Sequence, residues 1–107
     1  MKHPSRRNPT VGRNRIELWG EISRQPDIRS TPSGKPLLRL TVDCGETGEG
    51  LEMEVVLSGE TGRELGASLK TGHQVRVVGA LRAIWRDSRS GIRERQLEVV
   101  ASEVERR

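Results

Sequence analysis

Short stretches in which apolar and polar residues alternate recur along the chain, and this period of two is typical of half-buried β-strands. The first stretch is the clearest, because Ile16 and Ile22 share one face while Trp19 lies on the other. The alternation in the fourth stretch ends at Leu81, and the strand is expected to continue towards Trp85. The pattern predicts five strands, at 16–22, 37–44, 53–57, 75–81 and 97–101.

The connections between these stretches carry residues that favour turns and one helix. Residues 25–35 contain two prolines and a glycine, which predicts a turn-rich connection. Thr61 and Glu64 have the spacing of a capping box, in which each side chain satisfies a backbone N–H at the start of a helix. We therefore expect one short helix over residues 62–70, ended by Gly72 in a left-handed conformation.

Three strands, one helix and a two-stranded hairpin follow one another in the order typical of the OB-fold. The predicted fold class is thus all-β, a five-stranded OB-fold barrel with one short helix between strands 3 and 4. Gly20 and Gly79 lie inside predicted strands and suit the sharp bends that barrel closure requires. Residues 1–12 contain three Lys or Arg and two prolines, which predicts a flexible basic N-terminal arm ahead of a domain over residues 13–107.

Composition and charge add two constraints. A chain of 107 residues has room for one domain, and with 32% hydrophobic residues and no Phe or Tyr its core must be filled by Ile, Leu and Val. The net charge of +4 is unevenly spread, because residues 1–15 and 76–95 are basic whereas residues 43–64 are acidic. Basic faces attract polyanions such as nucleic acids, although a run of charges is equally typical of solvated surface.

Few residues offer catalytic or metal-binding chemistry. Cys44 is the only cysteine, so an intrachain disulfide is excluded, and His3 and His73 lack the spacing of metal ligands. The sequence has neither a nucleophile elbow nor a glycine loop followed by Lys-Ser or Lys-Thr. We therefore expect no enzyme activity, no cofactor and no metal. No apolar stretch approaches the roughly 20 residues that span a bilayer, and a cytoplasmic, nucleoid-associated protein is expected.

Three stretches resemble the bacterial single-stranded-DNA-binding protein (SSB) family and its relative, the primosomal replication protein PriB. They are residues 14–36 (NRIELWGEISRQPDIRSTPSGKP), 55–82 (VVLSGETGRELGASLKTGHQVRVVGALR) and 85–104 (WRDSRSGIRERQLEVVASEV). The resemblance implies an OB-fold, a homodimer or homotetramer, and single-stranded DNA held by stacking aromatic rings and basic residues. It also implies a role in DNA replication, recombination or repair. RNA stays open as a second ligand, and replication or repair proteins as further partners.

The sequence departs from the SSB pattern on the third predicted strand. Glu52 and Ser58 stand where SSB proteins carry aromatic residues, and Glu54 stands at a neighbouring position that is basic in the family. Acidic side chains repel phosphates, so this part of the usual site is expected to be lost or repurposed. The chain also ends at Arg106 and Arg107 without the acidic tip typical of SSB proteins, which favours the PriB branch or a specialised SSB-like protein. The alternative hypothesis is an SSB-like protein-interaction adaptor, of primosome or replisome type, with a weakened DNA site.

The predicted nucleic-acid-binding residues concentrate on the fourth strand and the hairpin that follows it. The resemblance aligns Trp85 with the stacking tryptophan of the family. The parity of the strand points this ring at the core unless a bulge near Ala83 or Ile84 turns it outward, so stacking and packing both stay open. The candidate basic residues, each either a phosphate contact or a solvated side chain, are Arg86, Arg89, Arg93, Arg95, Arg82, Arg76, Arg39, Lys35 and Arg29.

Trp19 is a candidate of a different kind. It lies opposite the apolar face of the first strand, between Glu17 and Glu21, where acidic side chains disfavour a phosphate backbone. A large ring exposed on a strand marks a contact surface. We therefore predict an oligomer interface at Trp19, with base stacking as the alternative.

Overall fold

The computed structural model of the protein describes residues 12–107. These residues form six strands and one helix: β1 (Ile16–Ile22), β2 (Asp27–Ser30), β3 (Pro36–Asp43), β4 (Glu52–Ser58), α1 (Glu60–Ser68), β5 (Gln74–Asp87) and β6 (Arg93–Arg106). The predicted N-terminal arm, except for Gly12, lies outside the described residues.

Five of the strands close into a barrel in the order β1, β5, β6, β4, β3. The ring closes where β3 returns to β1, through the antiparallel pairs Glu21 with Asp43 and Ile22 with Val42. The pairing of β4 with β6 is parallel, and the other pairs are antiparallel. Because α1 lies between β4 and β5, the third and fourth strands of the ring, the predicted five-stranded OB-fold barrel is confirmed.

The interior of the barrel is aliphatic, as the composition predicts. Alternate residues of the ring strands point inward, and Leu69, just after α1, joins them. Both tryptophans lie outside this cluster. The buried cluster comprises Ile22, Leu38, Leu40, Val42, Val55, Leu57, Leu69, Val75, Val77, Val99, Ala101 and Val104.

The turn-rich connection at 25–35 contains a strand that the sequence pattern does not reveal. β2 pairs with the start of β3 over four residues, from Asp27 opposite Arg39 to Ser30 opposite Pro36. All four residues of β2 are exposed. With neither face buried, no alternation of apolar and polar residues is required, and the strand lies beside the ring as an added edge.

Two turns of the same construction end the β2–β3 and β5–β6 hairpins, at residues 31–35 and 88–92. In each turn, the backbone N–H of the first residue donates to the carbonyl of the fifth at 2.8 Å. The hydroxyl of the first residue accepts from the backbone N–H of the fifth, at 3.1 and 3.2 Å. The fourth residue is Gly34 or Gly91, with φ of 86° and 81°. Each turn therefore needs glycine at this position, and each fixes the register of its hairpin.

The start of α1 differs from the prediction. The helix begins at Glu60, and its N-cap is Gly59, with no hydrogen bond from a capping side chain. Thr61 and Glu64 lie inside the helix, so the predicted capping box is wrong. Gly59 has φ of 95°, and its N–H donates to the carbonyl of Pro36 at 3.0 Å. This tertiary bond to β3 sets the helix start, because it already satisfies a backbone donor there.

The end of α1 also comes earlier than predicted. The helix stops at Ser68, and Leu69 is extended and buried in the core. Gly72 does adopt a left-handed conformation, with φ of 96°, but in the turn that leads into β5. Its N–H donates to the carbonyl of Ile22 at 2.8 Å, so this glycine joins the turn to β1.

One bulge interrupts the pairing of β5 with β6. Val78 pairs with Glu103 and Gly79 with Ala101, which leaves Ser102 as an extra residue on β6. The bulge predicted near Ala83 or Ile84 is absent, because pairing runs without a shift from Gly79 to the hairpin turn. The bend of the barrel thus lies at Gly79, as predicted for this glycine, and the outer half of the hairpin is regular.

Gly79→Ala is expected to destabilise the protein. A β-carbon at Gly79 would overlap the carbonyl oxygen of Val100, so one backbone must move. We expect the free energy of unfolding to fall by about 2 kcal/mol, measured by urea denaturation followed by circular dichroism. Gly50→Ala is the matched control, since its new methyl group would meet only a carboxylate oxygen of Asp43 at 3.6 Å. Equal losses in the two variants would contradict this account of the bulge.

Candidate functional site

The β5–β6 hairpin extends beyond the barrel. β5 and β6 are each 14 residues long, whereas β1 has 7. β1 pairs with β5 only as far as Gly79, and β4 pairs with β6 only at Val99 and Val100. Within the described chain, residues 82–98 therefore pair only with one another. We name residues 82–98 the arginine hairpin.

Trp85 lies on this hairpin and is 58% exposed. The side chain of Trp85 points to the same side of β5 as the buried Val77, as the sequence indicated. At Trp85, however, the hairpin already extends beyond the barrel, so no core covers the indole. Projection of the hairpin, and not a bulge, therefore brings the ring to solvent. The guanidinium of Arg93 lies 5.5 Å from the centroid of the ring, within cation–π distance.

Four arginines of the hairpin form no ion pair in the part of the chain that the structure describes, although Glu94 lies opposite Arg86 and Asp87 lies opposite Arg93 across the two strands. Within residues 12–107, none of Arg86, Arg89, Arg93 and Arg95 forms an ion pair. Arg95 is the cross-strand partner of Trp85 and therefore shares its face, whereas Arg89 lies in the turn at the hairpin tip. The hairpin thus combines one exposed ring with four arginines that form no ion pair in the described chain.

A cleft of about 320 Å³ lies between the arginine hairpin and the segment 24–29, over the outer face of β3 and β4. We name it the arginine cleft, because Arg24, Arg29, Arg39 and Arg86 all line it. Neighbouring residues of a strand point to opposite faces, so Arg86 points into this cleft while Trp85 points away. The hairpin therefore presents two different surfaces.

Three of the four cleft arginines pair with a carboxylate from the same surface. The pairs are Arg24 with Glu52 at 3.5 Å, Arg29 with Asp27 at 2.7 Å, and Arg39 with Glu54 at 3.3 Å. Arg86 differs from the other three, because its Nε is buried and has no hydrogen-bond partner within the described residues. This Nε is out of reach of a ligand, so any contact with one falls to the rest of the guanidinium, which forms no ion pair in the described chain.

Two predicted phosphate contacts are engaged in ion pairs outside the cleft. Arg76 donates to Glu17 at 2.5 Å and to Glu103 at 3.3 Å, and only 22% of its side chain is exposed. Hydrogen bonding to Glu17 raises the pKa of Arg76 above its usual value. Arg82 donates to Glu98, whose side chain is buried. These contacts favour structural roles for both arginines, whereas Lys35 is exposed and makes no ion pair in the described chain.

Arg24 is a cleft residue that the sequence reasoning missed. It lies two residues after the end of β1, at the start of the same connection that Arg29 and Lys35 flank. Its position beside a connecting loop was the available signal. The sequence reasoning did single out Glu52 and Glu54, but as lost contacts, and the structure shows them as partners of Arg24 and Arg39.

Trp19 occupies a different part of the surface. The ring is 52% exposed on the outer face of β1, and the guanidinium of Arg107 lies 4.4 Å from its centroid. Trp19 lines a second cleft with Glu21, Asp43 and Gln74, which shares no residue with the arginine cleft. Two hydrogen bonds from backbone N–H groups to Asp43 lower the pKa of this carboxyl. The surroundings of Trp19 are thus more acidic than those of Trp85.

Comparison with known proteins identifies the family of the chain. Residues 13–107 match the family described as "Single-strand binding protein family". The chain belongs to the single-strand binding protein family. This family consists of non-catalytic DNA-binding proteins.

Three curated relatives of the family carry the name single-stranded DNA-binding protein. The protein of Thermus aquaticus is 35% identical over 98 residues, which cover 87% of this chain and 37% of the relative. Protein 1 of Xylella fastidiosa is 32% identical over 103 residues, covering 86% of this chain and 75% of the relative. The protein of Xanthomonas campestris is 29% identical over 103 residues, which cover 88% of this chain and 60% of the relative. The chain therefore spans about a third to three quarters of the length of these proteins.

Two further observations concern other classes of site. Among residues 12–107, no three His, Cys, Asp or Glu side chains are grouped so that they could hold a metal ion. No helix in this part of the chain is long and apolar enough to cross a membrane.

Arg82→Ala is expected to destabilise the protein, because it leaves the buried carboxylate of Glu98 without its cation. We expect the free energy of unfolding to fall by about 2 kcal/mol, measured by urea denaturation. The double variant Arg82→Ala with Glu98→Gln removes the unpaired charge and should recover about half of this loss. Wild-type stability of the single variant would show that the pair contributes nothing to the fold.

Proposed function

We propose that this protein binds single-stranded DNA without catalysing a reaction, and that the arginine hairpin is the main binding element. The observation that carries the proposal is a hairpin that projects from the barrel and carries one exposed ring and four arginines without ion pairs in the described chain. Stacking on a ring and neutralisation of phosphates are the two interactions by which proteins hold single strands. Family membership and the names of the relatives support the same ligand.

The proposed path of the strand follows the two surfaces of the hairpin. A base stacks on Trp85, where it competes with Arg93 for one face of the ring. Phosphates on either side of this base contact Arg89, Arg93 and Arg95. A second part of the strand enters the arginine cleft, which Arg86 lines without an ion pair in the described chain. Because phosphate contacts release counterions, the affinity should fall steeply as salt concentration rises.

The proposal assigns the remaining predicted basic residues unequal roles. Arg29 and Arg39 lie in the cleft, where each already pairs with a carboxylate and is therefore a weaker phosphate contact than an arginine without an ion pair. Lys35 lies at the tip of the β2–β3 hairpin, which flanks the cleft. Arg76 and Arg82 stabilise the fold and do not contact DNA directly, because their guanidinium groups form ion pairs with Glu17 and Glu98.

We also propose that Trp19 lies at a subunit interface of a homodimer or homotetramer. An exposed ring on β1 supports this proposal, as does the outer edge of β1, which pairs with β3 only at Glu21 and Ile22. The unpaired length of this edge, from Ile16 to Gly20, offers hydrogen-bonding groups to a second strand. The acids nearby, Glu17 and Glu21, make the same surface unsuitable for phosphates.

Other parts of the sequence hypothesis stay predictions. The PriB branch, replication or repair proteins as partners, RNA as a ligand and a place beside the nucleoid in the cytoplasm are compatible with the proposed function. The adaptor hypothesis has less support, because the family and the named relatives are described by DNA binding.

The first test uses the two tryptophans as separate reporters. Trp19→Phe leaves Trp85 as the fluorophore, and Trp85→Phe leaves Trp19. Titration with an oligo-dT at low salt should quench the emission of Trp85 strongly, because a base stacks on this ring, and change that of Trp19 little. Trp85→Ala should weaken binding about tenfold. Absence of binding at low salt by the wild-type protein would refute the proposed function.

The second test concerns assembly. Trp19→Ala removes the exposed ring of β1 and is expected to shift the protein to a smaller species in analytical ultracentrifugation. Trp85→Ala is the matched control, since it removes a ring of similar exposure from the hairpin and should sediment as the wild type does. Unchanged sedimentation of the Trp19 variant would exclude this interface.

A further inference from the structure

The floor of the arginine cleft carries an acid in a place where a DNA-binding protein has to contact its ligand. Glu54 lies on β4 and lines the cleft together with Arg39 and Arg86. A carboxylate repels a phosphate, so its presence requires an explanation if DNA enters the cleft. The explanation proposed below rests on the proposed function, because it names the part of the DNA that the cleft receives.

Glu54 is held in a fixed orientation and keeps free acceptor capacity. One carboxylate oxygen accepts from Arg39 at 3.3 Å and the other accepts from the hydroxyl of Thr41 at 3.0 Å. A carboxylate offers about four lone-pair positions, so each oxygen retains one. The side chain is 40% exposed, and these positions are therefore open to a ligand.

The cleft also offers donors. Arg86 lines the cleft and forms no ion pair in the described chain, and Arg39 keeps N–H groups beyond the one that binds Glu54. Fixed acceptors and fixed donors thus lie in one cleft of about 320 Å³. No aromatic residue lines the cleft, so a base held here must be bound by its edges and not by stacking on a ring.

A nucleobase satisfies this arrangement better than a phosphate does. A phosphodiester supplies acceptors only, which suit the arginines and leave Glu54 repelled. A base edge supplies donors and acceptors together, and single-stranded bases expose both their Watson–Crick and Hoogsteen edges to proteins. The cleft therefore matches a base whose edge has adjacent donors for the carboxylate and acceptors for the guanidinium groups.

Guanine meets these requirements most fully. Its N1–H and N2 amino group are neighbouring donors that face both oxygens of one carboxylate, while O6 and N7 accept from arginine. Thymine has a single N–H, and adenine and cytosine each have one amino group. The geometry points to Glu54 as a specificity-determining residue, by which the arginine cleft selects guanine in single-stranded DNA.

The experiment compares three oligo-dT strands that differ only at two central positions. These positions carry thymine in the first strand, guanine in the second and inosine in the third. Inosine lacks only the N2 amino group of guanine. The wild-type protein should bind the guanine strand about tenfold more tightly than the thymine strand, and inosine should lose most of this gain. Glu54→Gln should bring the guanine and thymine affinities together, because an amide has one acceptor oxygen.

Glu64→Gln is the matched control, since it removes the same charge from the exposed surface of α1 and should keep the guanine preference. Equal affinities of the wild type for guanine and thymine would overturn the inference and leave the proposed function intact. If Glu54→Gln binds all three strands more tightly by the same factor, and the wild type shows no guanine preference, Glu54 only repels phosphate. No binding of any strand would refute both proposals. Thermal unfolding of each variant confirms that it is folded.

Discussion

Closure of the barrel at β1 is the constraint on which the rest of the structure depends. Only two residue pairs join β1 to β3, and Gly20 immediately precedes them. A side chain at Gly20 would overlap the carbonyl of Asp43, so the two strands approach closely only because this position lacks a β-carbon. With the ring closed, aliphatic residues fill the interior and the functional groups are displayed outside it.

The same closure decides where the aromatic residues lie. A small barrel filled by Ile, Leu and Val has no room for an indole, and both tryptophans are on its outer surface or beyond its end. Each ring has an arginine at cation–π distance, Arg93 for Trp85 and Arg107 for Trp19. The two rings nevertheless differ in their surroundings, because Trp85 lies among unpaired cations and Trp19 lies among carboxylates.

The sequence predicts the ring strands and the aliphatic core, because their residues alternate between a buried and an exposed face. It does not predict β2, which has no buried residue, or the start of α1, which a bond between Gly59 and Pro36 determines. The parity of Trp85 is predicted correctly, whereas its exposure depends on how far the hairpin projects. The ion pair between Arg39 and Glu54 depends on the register of β3 with β4, which a linear pattern does not contain.

The ion pairs of the arginine cleft have a kinetic consequence. Arg24, Arg29 and Arg39 each have a carboxylate at 3.5 Å or less. A guanidinium that loses its contact with a strand bound as proposed still has an internal acceptor, which lowers the barrier to stepwise dissociation. In the proposed function, the cleft would therefore combine selective contacts with a short residence time of the DNA.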